Sequence, residues 1–339
     1  MKLDFCEVFD DYTSRCRKIP KEEYLSNGKY IVIDQGKNSI AGYTNVDDGL
    51  FEDVPAIVFG DHTRIIKYVD EPFFLGADGV KLLKSKIKDA NYKYLYYALR
   101  NARIPDTGYN RHFKWLKEIS LEYKDAESQK NIVKILDTVT NIIELCKAEL
   151  SELDNLIKAR FVEMFGDIKA NPYGFEKMAL KDTCTVITGN TPSRSVPEYY
   201  GDSIEWIKTD NIVSGRLSPS QALEYLSDEG IKVGRTVEKG AILMACIAGS
   251  VESIGRVCVT DRKVAFNQQI NAIVPEDYDT LFLHTMLQLS KEYLVEEINM
   301  ALKGILSKSK LEGKEFIVPS IEQQEQFAPF VAQVNKSKV

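Results

Sequence analysis

The sequence predicts an α+β protein built from two similar mixed α/β domains, each followed by a long helix, with the two helices running antiparallel as a coiled-coil-like pair. A closing segment occurs twice: Leu116-Lys117-Glu118-Ile119-Ser120-Leu121 leads into Glu127-Ser128-Gln129-Lys130, and Lys314-Glu315-Phe316-Ile317-Val318-Pro319 leads into Glu322-Gln323-Gln324-Glu325. The two copies stand about 195 residues apart, far too long a period for a solenoid repeat and right for two copies of a domain. Residues 127–165 keep an apolar spacing of three and four with no Gly or Pro, the pattern of one continuous helix. Short β-rich runs broken by glycine turns recur on both sides of it.

The first domain spans residues 1–125. Strands are expected at 30–33, 56–59 and 65–69, separated by turn signals at Asn27-Gly28, Gln35-Gly36 and Asp47-Asp48-Gly49. A helix is expected over 92–101, where Tyr94, Leu95, Ala98 and Leu99 share a face.

The long helix occupies 126–166. Its stripe runs through Leu136, Val139, Ile143, Cys146, Leu150, Leu153, Ile157 and Met164, interrupted by Arg160 and extended in front by Ile132 and Ile135. Gly166 is the stop. Such a helix is roughly 58 Å long at 1.5 Å per residue, and its seam calls for a partner helix alongside.

The second domain spans 167–318, with strands at 204–207, 241–244 and 257–259 and turns at Thr188-Gly189-Asn190 and Ala248-Gly249-Ser250. A helix over 280–299 carries Leu283, Met286, Leu287 and Leu294. Residues 319–339 start the second long helix: Phe327, Phe330, Val331 and Val334 parallel Ile132, Ile135, Leu136 and Val139, and Pro329 is placed in the first turns, where it costs least. This helix is read as incomplete. The seam it leaves open, around Leu150, Leu153 and Ile157, is expected to be covered by another chain, with self-association one way to do so.

The domains also match internally. Residues 56–60 correspond to 241–245, helix 92–101 to the helix before Asn299, and Gly108-Tyr109-Asn110-Arg111-His112 to Gly304-Ile305-Leu306-Ser307-Lys308. The scaffold repeats while the polar loops differ. If scaffolds position and loops read, the two domains read different things.

The 339 residues allow two cores, and 44% apolar with 28% charged residues is ordinary globular composition. No apolar run approaches the roughly 18 residues of a membrane span. Acids near Met1 replace the basic and apolar start of a secretory signal, so a cytoplasmic location is expected. The six cysteines and three histidines are scattered without metal-ligand spacing. The net charge of −6 argues against a generic nucleic-acid binder, though it allows positive charge on one face or binding beside a partner.

Catalytic motifs are missing: the sequence holds no phosphate loop, dinucleotide fingerprint or nucleophile elbow. Asn171-Pro172-Tyr173 echoes an amino-methyltransferase motif but lacks one proline and any upstream glycine-rich strand, and reads as turn chemistry. The pairs Asp47/Asp48 and Glu296/Glu297 read as solvated faces. The polar loops are the better candidates. Asn190, Thr191, Ser193 and Arg194 lie in one, Lys208 and Asn211 in the next, and Asn267, Gln268 and Gln269 in a third. Amides suit adenine, Arg and Lys suit guanine, and hydroxyls suit phosphate. Lys303, Lys308, Lys310 and Lys314 form the most basic stretch, fit for backbone contacts, and Arg111, His112 and Lys114 stand at the matching place in the first domain.

Taken together, these residues resemble the specificity subunits of type I restriction-modification systems, over nearly the whole chain. The stretch from Lys314 through Glu315-Phe316-Ile317-Val318-Pro319-Ser320-Ile321-Glu322-Gln323-Gln324 to Glu325 carries the likeness most specifically. Thr188-Gly189-Asn190-Thr191-Pro192-Ser193, Tyr199-Tyr200-Gly201 and Ile204-Glu205-Trp206-Ile207 are similar to the opening of a target recognition domain. So are Gly28-Lys29-Tyr30, Gly36 and Ile40-Ala41-Gly42-Tyr43 in the first domain. The resemblance implies two target recognition domains, each reading half of a split site in double-stranded DNA, held apart by the spacer helices. It implies that two modification subunits dock on the helices and carry S-adenosylmethionine, that restriction subunits join them, and that this chain binds no cofactor and catalyses nothing. The competing expectation is a non-catalytic coiled-coil scaffold whose domains bind protein or carbohydrate ligands.

Overall fold

The computed structural model describes residues 1–76, 79–108, 110–248, 250–296 and 304–338, so Tyr109, Gly249, Glu297, Asn299 and Lys303 lie outside the described residues. The chain divides into two compact units, Met1–Glu144 and Leu145–Val339, the division falling inside the long helix.

The first unit contains β1 (Lys2–Asp4), α1 (Phe5–Val8), β2 (Phe9–Asp11), β3 (Lys18–Ile19), β4 (Tyr30–Ile33), β5 (Gly42–Thr44), β6 (Ala56–Gly60), β7 (Ile66–Val69), β8 (Phe73–Gly76), β9 (Val80–Ser85), α2 (Tyr92–Arg100), α3 (Phe113–Leu116), β10 (Ser120–Glu122) and the first half of α4 (Ala126–Phe165). Two four-stranded sheets form, in the orders β2-β9-β6-β7 and β3-β8-β4-β5. The apolar run of β6 follows from burial on both faces. Ile57 and Phe59 pack under the helices with Leu95 and Leu99, whereas Ala56 and Val58 face the other sheet with Ile33 and Leu75.

The second unit repeats this plan. It continues with β11 (Lys177–Ala179), α5 (Leu180–Thr183), β12 (Cys184–Thr188), β13 (Tyr200–Gly201), β14 (Ile204–Ile207), β15 (Tyr225–Leu226), α6 (Asp228–Val233), β16 (Thr236–Val237), β17 (Ile242–Ala245), β18 (Val257–Val259), β19 (Val264–Phe266) and β20 (Ile270–Pro275). It ends with α7 (Thr280–Leu289), α8 (Lys291–Val295), α9 (Lys308–Glu312), β21 (Glu315–Ile317) and α10 (Ile321–Lys336). The sheet β12-β20-β17-β18 matches β2-β9-β6-β7 strand for strand, and the parallel pair β14/β19 matches β4/β8. The helix expected over 280–299 breaks at Ser290, whose φ of −90° and ψ of 13° leave the helical region.

Each unit is closed by pairing its first strand with its last: β1 runs antiparallel to β10, and β11 to β21. This pairing corrects the register of the repeated segment. Leu121 and Phe316, both buried, are the middle residues of the two closing strands, so Lys117-Glu118 does not align with Lys314-Glu315. Pro319 therefore stands opposite Lys124. The caps agree with this: Gln129 Nε2 donates to the carbonyl of Lys124 (2.8 Å) and Gln324 Nε2 to that of Pro319 (2.9 Å). Asp125 accepts from the Ser128 amide (2.9 Å), and Ser320 forms a capping box with Gln323.

The helix α4 forms as one piece and stops at Gly166, whose left-handed φ of 73° a side chain would strain. Its seam is not the expected one throughout. Ile157 is buried in the core of the second unit and Leu153 packs against it, so neither is left for another chain. The contact line continues through Phe161 and Phe165, steps of four that a straight helix takes where the expected stripe stepped to Arg160 and Met164. Leu136 is half-buried, and Val139, Ile143 and Leu150 are exposed. Within the second unit α10 runs antiparallel to the end of α4: Phe327 meets Phe161 and Phe165, both at 5.6 Å between ring centres, and Lys338, just past the end of α10, reaches back to Asp154. Pro329 is the ninth residue of α10, in its interior rather than its first turns, with its ring exposed.

His284 on α7 is buried, and burial pushes its pKa down to about 4, with the nearby Lys338 ammonium adding to the effect. The unfolded chain therefore binds a proton that the folded chain refuses. Stability is intact above the unfolded pKa of about 6.5 and falls as the pH drops toward the folded value, by roughly 3 kcal/mol at most. The expected result is a steeper loss of denaturant stability between pH 6.5 and 4 in the wild type than in His284→Gln. Parallel curves for the two would contradict it.

Candidate nucleic-acid interface

The three polar loops of the second unit, separated in sequence, meet at one end of its sheets. The turn after β12 passes so close to the end of β19 that a Cβ on Gly189 would lie 2.1 Å from the Asn267 carbonyl oxygen, which only glycine avoids. From there the Asn190 amide nitrogen donates to the Phe266 carbonyl (3.1 Å), the Asn267 amide to Ile207 (3.0 Å), and Thr191 Oγ1 to the side chain of Gln268. Tyr200 Oη pins the buried Pro192 through its carbonyl (2.7 Å).

The loops present fewer groups than the sequence suggests. The side chain of Asn190 is used within the fold, donating to Val233 O (2.8 Å) and accepting from the Arg235 amide (2.7 Å), so it positions the loop. Asn211 is buried, accepting from the Lys208 amide (2.9 Å) and donating to Ser220 and Gln221, and is withdrawn from any contact surface. Asn267 is likewise buried and bonded to Gln269 through both its amide groups. Thr191, Ser193, Arg194 and Gln268 remain exposed, with Lys208 and Gln269 partly so.

Arg194 and Lys208 converge on the single carboxylate of Glu224 and on the indole of Trp206. The Arg194 guanidinium lies 4.3 Å from the Tyr200 ring centre and 5.1 Å from that of Trp206, and the Lys208 ammonium lies 5.0 Å from the latter. The hydrogen bond from Lys208, reinforced by Arg194, holds the Glu224 carboxyl below the usual carboxylate range although partial burial works the other way. Glu224 was not legible as part of this site, since it stands 16 and 30 residues from its partners. On the other face of the β14/β15 ladder, Arg216, Arg262, Lys263, Gln221 and Tyr225 line a trough of about 580 Å³, with Arg262 paired to Glu205. The adjacent Arg262-Lys263 turn was the only sequence signal for it.

Lys308 and Lys310 are exposed on α9, Lys308 paired with Glu312 at 3.4 Å. Lys314 is buried with its ammonium 4.3 Å from the Tyr293 ring centre, so it leaves the basic stretch, and Lys303 lies outside the described residues. The segment before α9 reaches the loop end: Leu306 N donates to Cys246 O (2.9 Å) and Cys246 N to Gln269 O (2.8 Å).

The first unit has the same chain of contacts, from His112 N to Asp61 O (2.8 Å) and from Asp61 N to Gly79 O (2.7 Å). His112 itself is fully buried, its Nδ1 3.0 Å from the Asp61 carbonyl and its Nε2 beside Thr107, and it holds the start of α3 rather than facing a ligand. Arg111 and Lys114 are exposed. A separate concavity of about 890 Å³ is lined by Tyr68, Tyr96, Tyr97 and several cations, most of them already matched, Arg64 with Asp106, Lys67 with Asp34 and Lys93 with Asp137. Among the described residues, no His/Cys/Asp/Glu cluster could hold a metal, and no helix is long and apolar enough to cross a membrane.

Residues 3–155 and 172–338 match the family described as the type I restriction modification DNA specificity domain. The chain is 32% identical over 147 residues to the specificity subunit of the type I restriction enzyme HindI of Haemophilus influenzae, covering 42% of this chain and 31% of that protein. It is 27% identical over 168 residues to the MjaIX specificity subunit of Methanocaldococcus jannaschii, covering 48% and 38%. The matched part is thus about a third of each curated relative, 31% of one and 38% of the other. The fold is similar to that of the type I restriction-modification S subunit from M. genitalium, with a TM-score of 0.62 and 15% identity, covering 100% of this chain and 90% of the other.

Proposed function

The chain belongs to the type I restriction-modification DNA specificity family, and on that premise we propose that it reads a bipartite site in double-stranded DNA and directs adenine methylation there by partner subunits. The convergence of Thr191, Arg194, Lys208 and Gln268 at one loop end carries the reading. These groups suit base edges in the major groove, where amides and guanidinium forks distinguish the pairs and hydroxyls take phosphate. The equivalent end of the first unit bears Arg111 and Lys114 on a different loop set, so each unit reads its own half-site.

Chemistry belongs to the partners. Two modification subunits bring S-adenosylmethionine and dock along α4, whose exposed Val139, Ile143 and Leu150 offer apolar surface, and a restriction subunit joins them. Shared backbone contacts from those subunits make the net charge of −6 compatible with DNA binding. Methylome sequencing with and without the gene tests this. The expected result is the loss of one bipartite adenine-methylated motif on deletion. A methylome that keeps every such motif would refute it.

A further inference from the structure

Glu224 is a carboxylate set between the two cations of the second unit's loop end. It is one-third exposed, bridges Arg194 and Lys208, and lies just before β15, where the Trp206 amide of β14 donates to its carbonyl (2.9 Å). The Arg194 guanidinium is held against the Tyr200 and Trp206 rings, so two long side chains are tied to one anion and two rings. The local charge is that of one net cation rather than two.

We propose that Glu224 is a positioning and specificity-determining residue of the second unit's reading surface, a charge gate that orients Arg194 and Lys208 toward base edges and keeps them from non-specific phosphates. This rests on the reading that the chain recognises DNA. A phosphate approaching either cation also meets the negative field of the carboxylate held against it, whereas a base edge carries no net charge and meets a guanidinium already ordered. Each cation released to the backbone adds about 0.9 to the slope of log affinity against log salt.

The test uses the full-length chain and a random-sequence duplex, with binding followed by fluorescence anisotropy over a salt series. Glu224→Gln is expected to bind about three- to tenfold more tightly near 0.1 M salt, with a slope steeper by about one phosphate contact. Glu224→Asp, which keeps the charge, should stay near wild type, and Arg194→Gln combined with Glu224→Gln should return the slope toward it. A merely structural role would leave the slope unmoved, and melting curves identify any variant that fails to fold. Equal, weaker or absent binding by folded Glu224→Gln overturns the gate. That outcome, with a methylation motif that still depends on the gene, sinks the gate alone; a motif that does not depend on the gene sinks the DNA reading itself.

Discussion

Phe161→Ala is expected to remove about 3–5 kcal/mol from the stability of the second unit, a large part of the roughly 5–15 kcal/mol a domain possesses. Phe161 is fully buried and sits among three other rings, 5.1 Å from Phe165, 5.5 Å from Phe282 in a stacked arrangement, and 5.6 Å from Phe327 edge-on. It joins the end of α4 to both α7 and α10, so truncation leaves a cavity that three elements line and none can easily close. Leu145→Ala on the same helix removes a side chain that is 69% exposed, and its effect should stay within about 0.5 kcal/mol. Denaturant midpoints measure both. Similar losses for the two substitutions would mean that the burial pattern along α4 is wrong.

Replacing Arg194 and Lys208 together by Gln is expected to lower methylation at the target by at least about tenfold, since each well-placed charged contact to a base discriminates by about 1–3 kcal/mol. Each Gln is shorter and uncharged, so the clamp on Glu224 and the packing against Trp206 both loosen while the buried frame of Ile204, Trp206 and Leu226 stays filled. Lys29→Gln in the first unit removes a comparable exposed cation, paired with Asp47, and should leave this half of the site untouched. The measurement is the rate of methyl transfer by the assembled complex on duplexes carrying the motif.

The scaffold was legible in the sequence and the reading surface only partly so. The strand β6 and the helix α4 announce themselves because their signals are local: an apolar run between glycine turns, and an apolar stripe with no Gly or Pro. The break at Ser290 had no such signal, being made by one residue's backbone angles leaving the helical region. His112, Asn211 and Asn267 were read as contacts because they are polar and lie in turns, yet short polar side chains in turns commonly serve the turn's own backbone. Asn211 and Asn267 do so within their own turns, whereas His112 reaches across to the Asp61 carbonyl 51 residues earlier. The meeting of Thr191 with Gln268 spans 77 residues and that of Arg194 with Glu224 spans 30. Such pairings are set by the sheet order, which periodicity does not encode.

On the proposed function, the two units read separate halves of one site. Sequencing the methylome of a strain carrying the Arg194→Gln/Lys208→Gln chain, and comparing the methylated motif half by half with that of the wild type, tests it most directly. The expected result is one half of the motif relaxed or lost in definition while the other half keeps its sequence. A folded variant whose motif is unchanged in both halves, or altered equally in both, would contradict it.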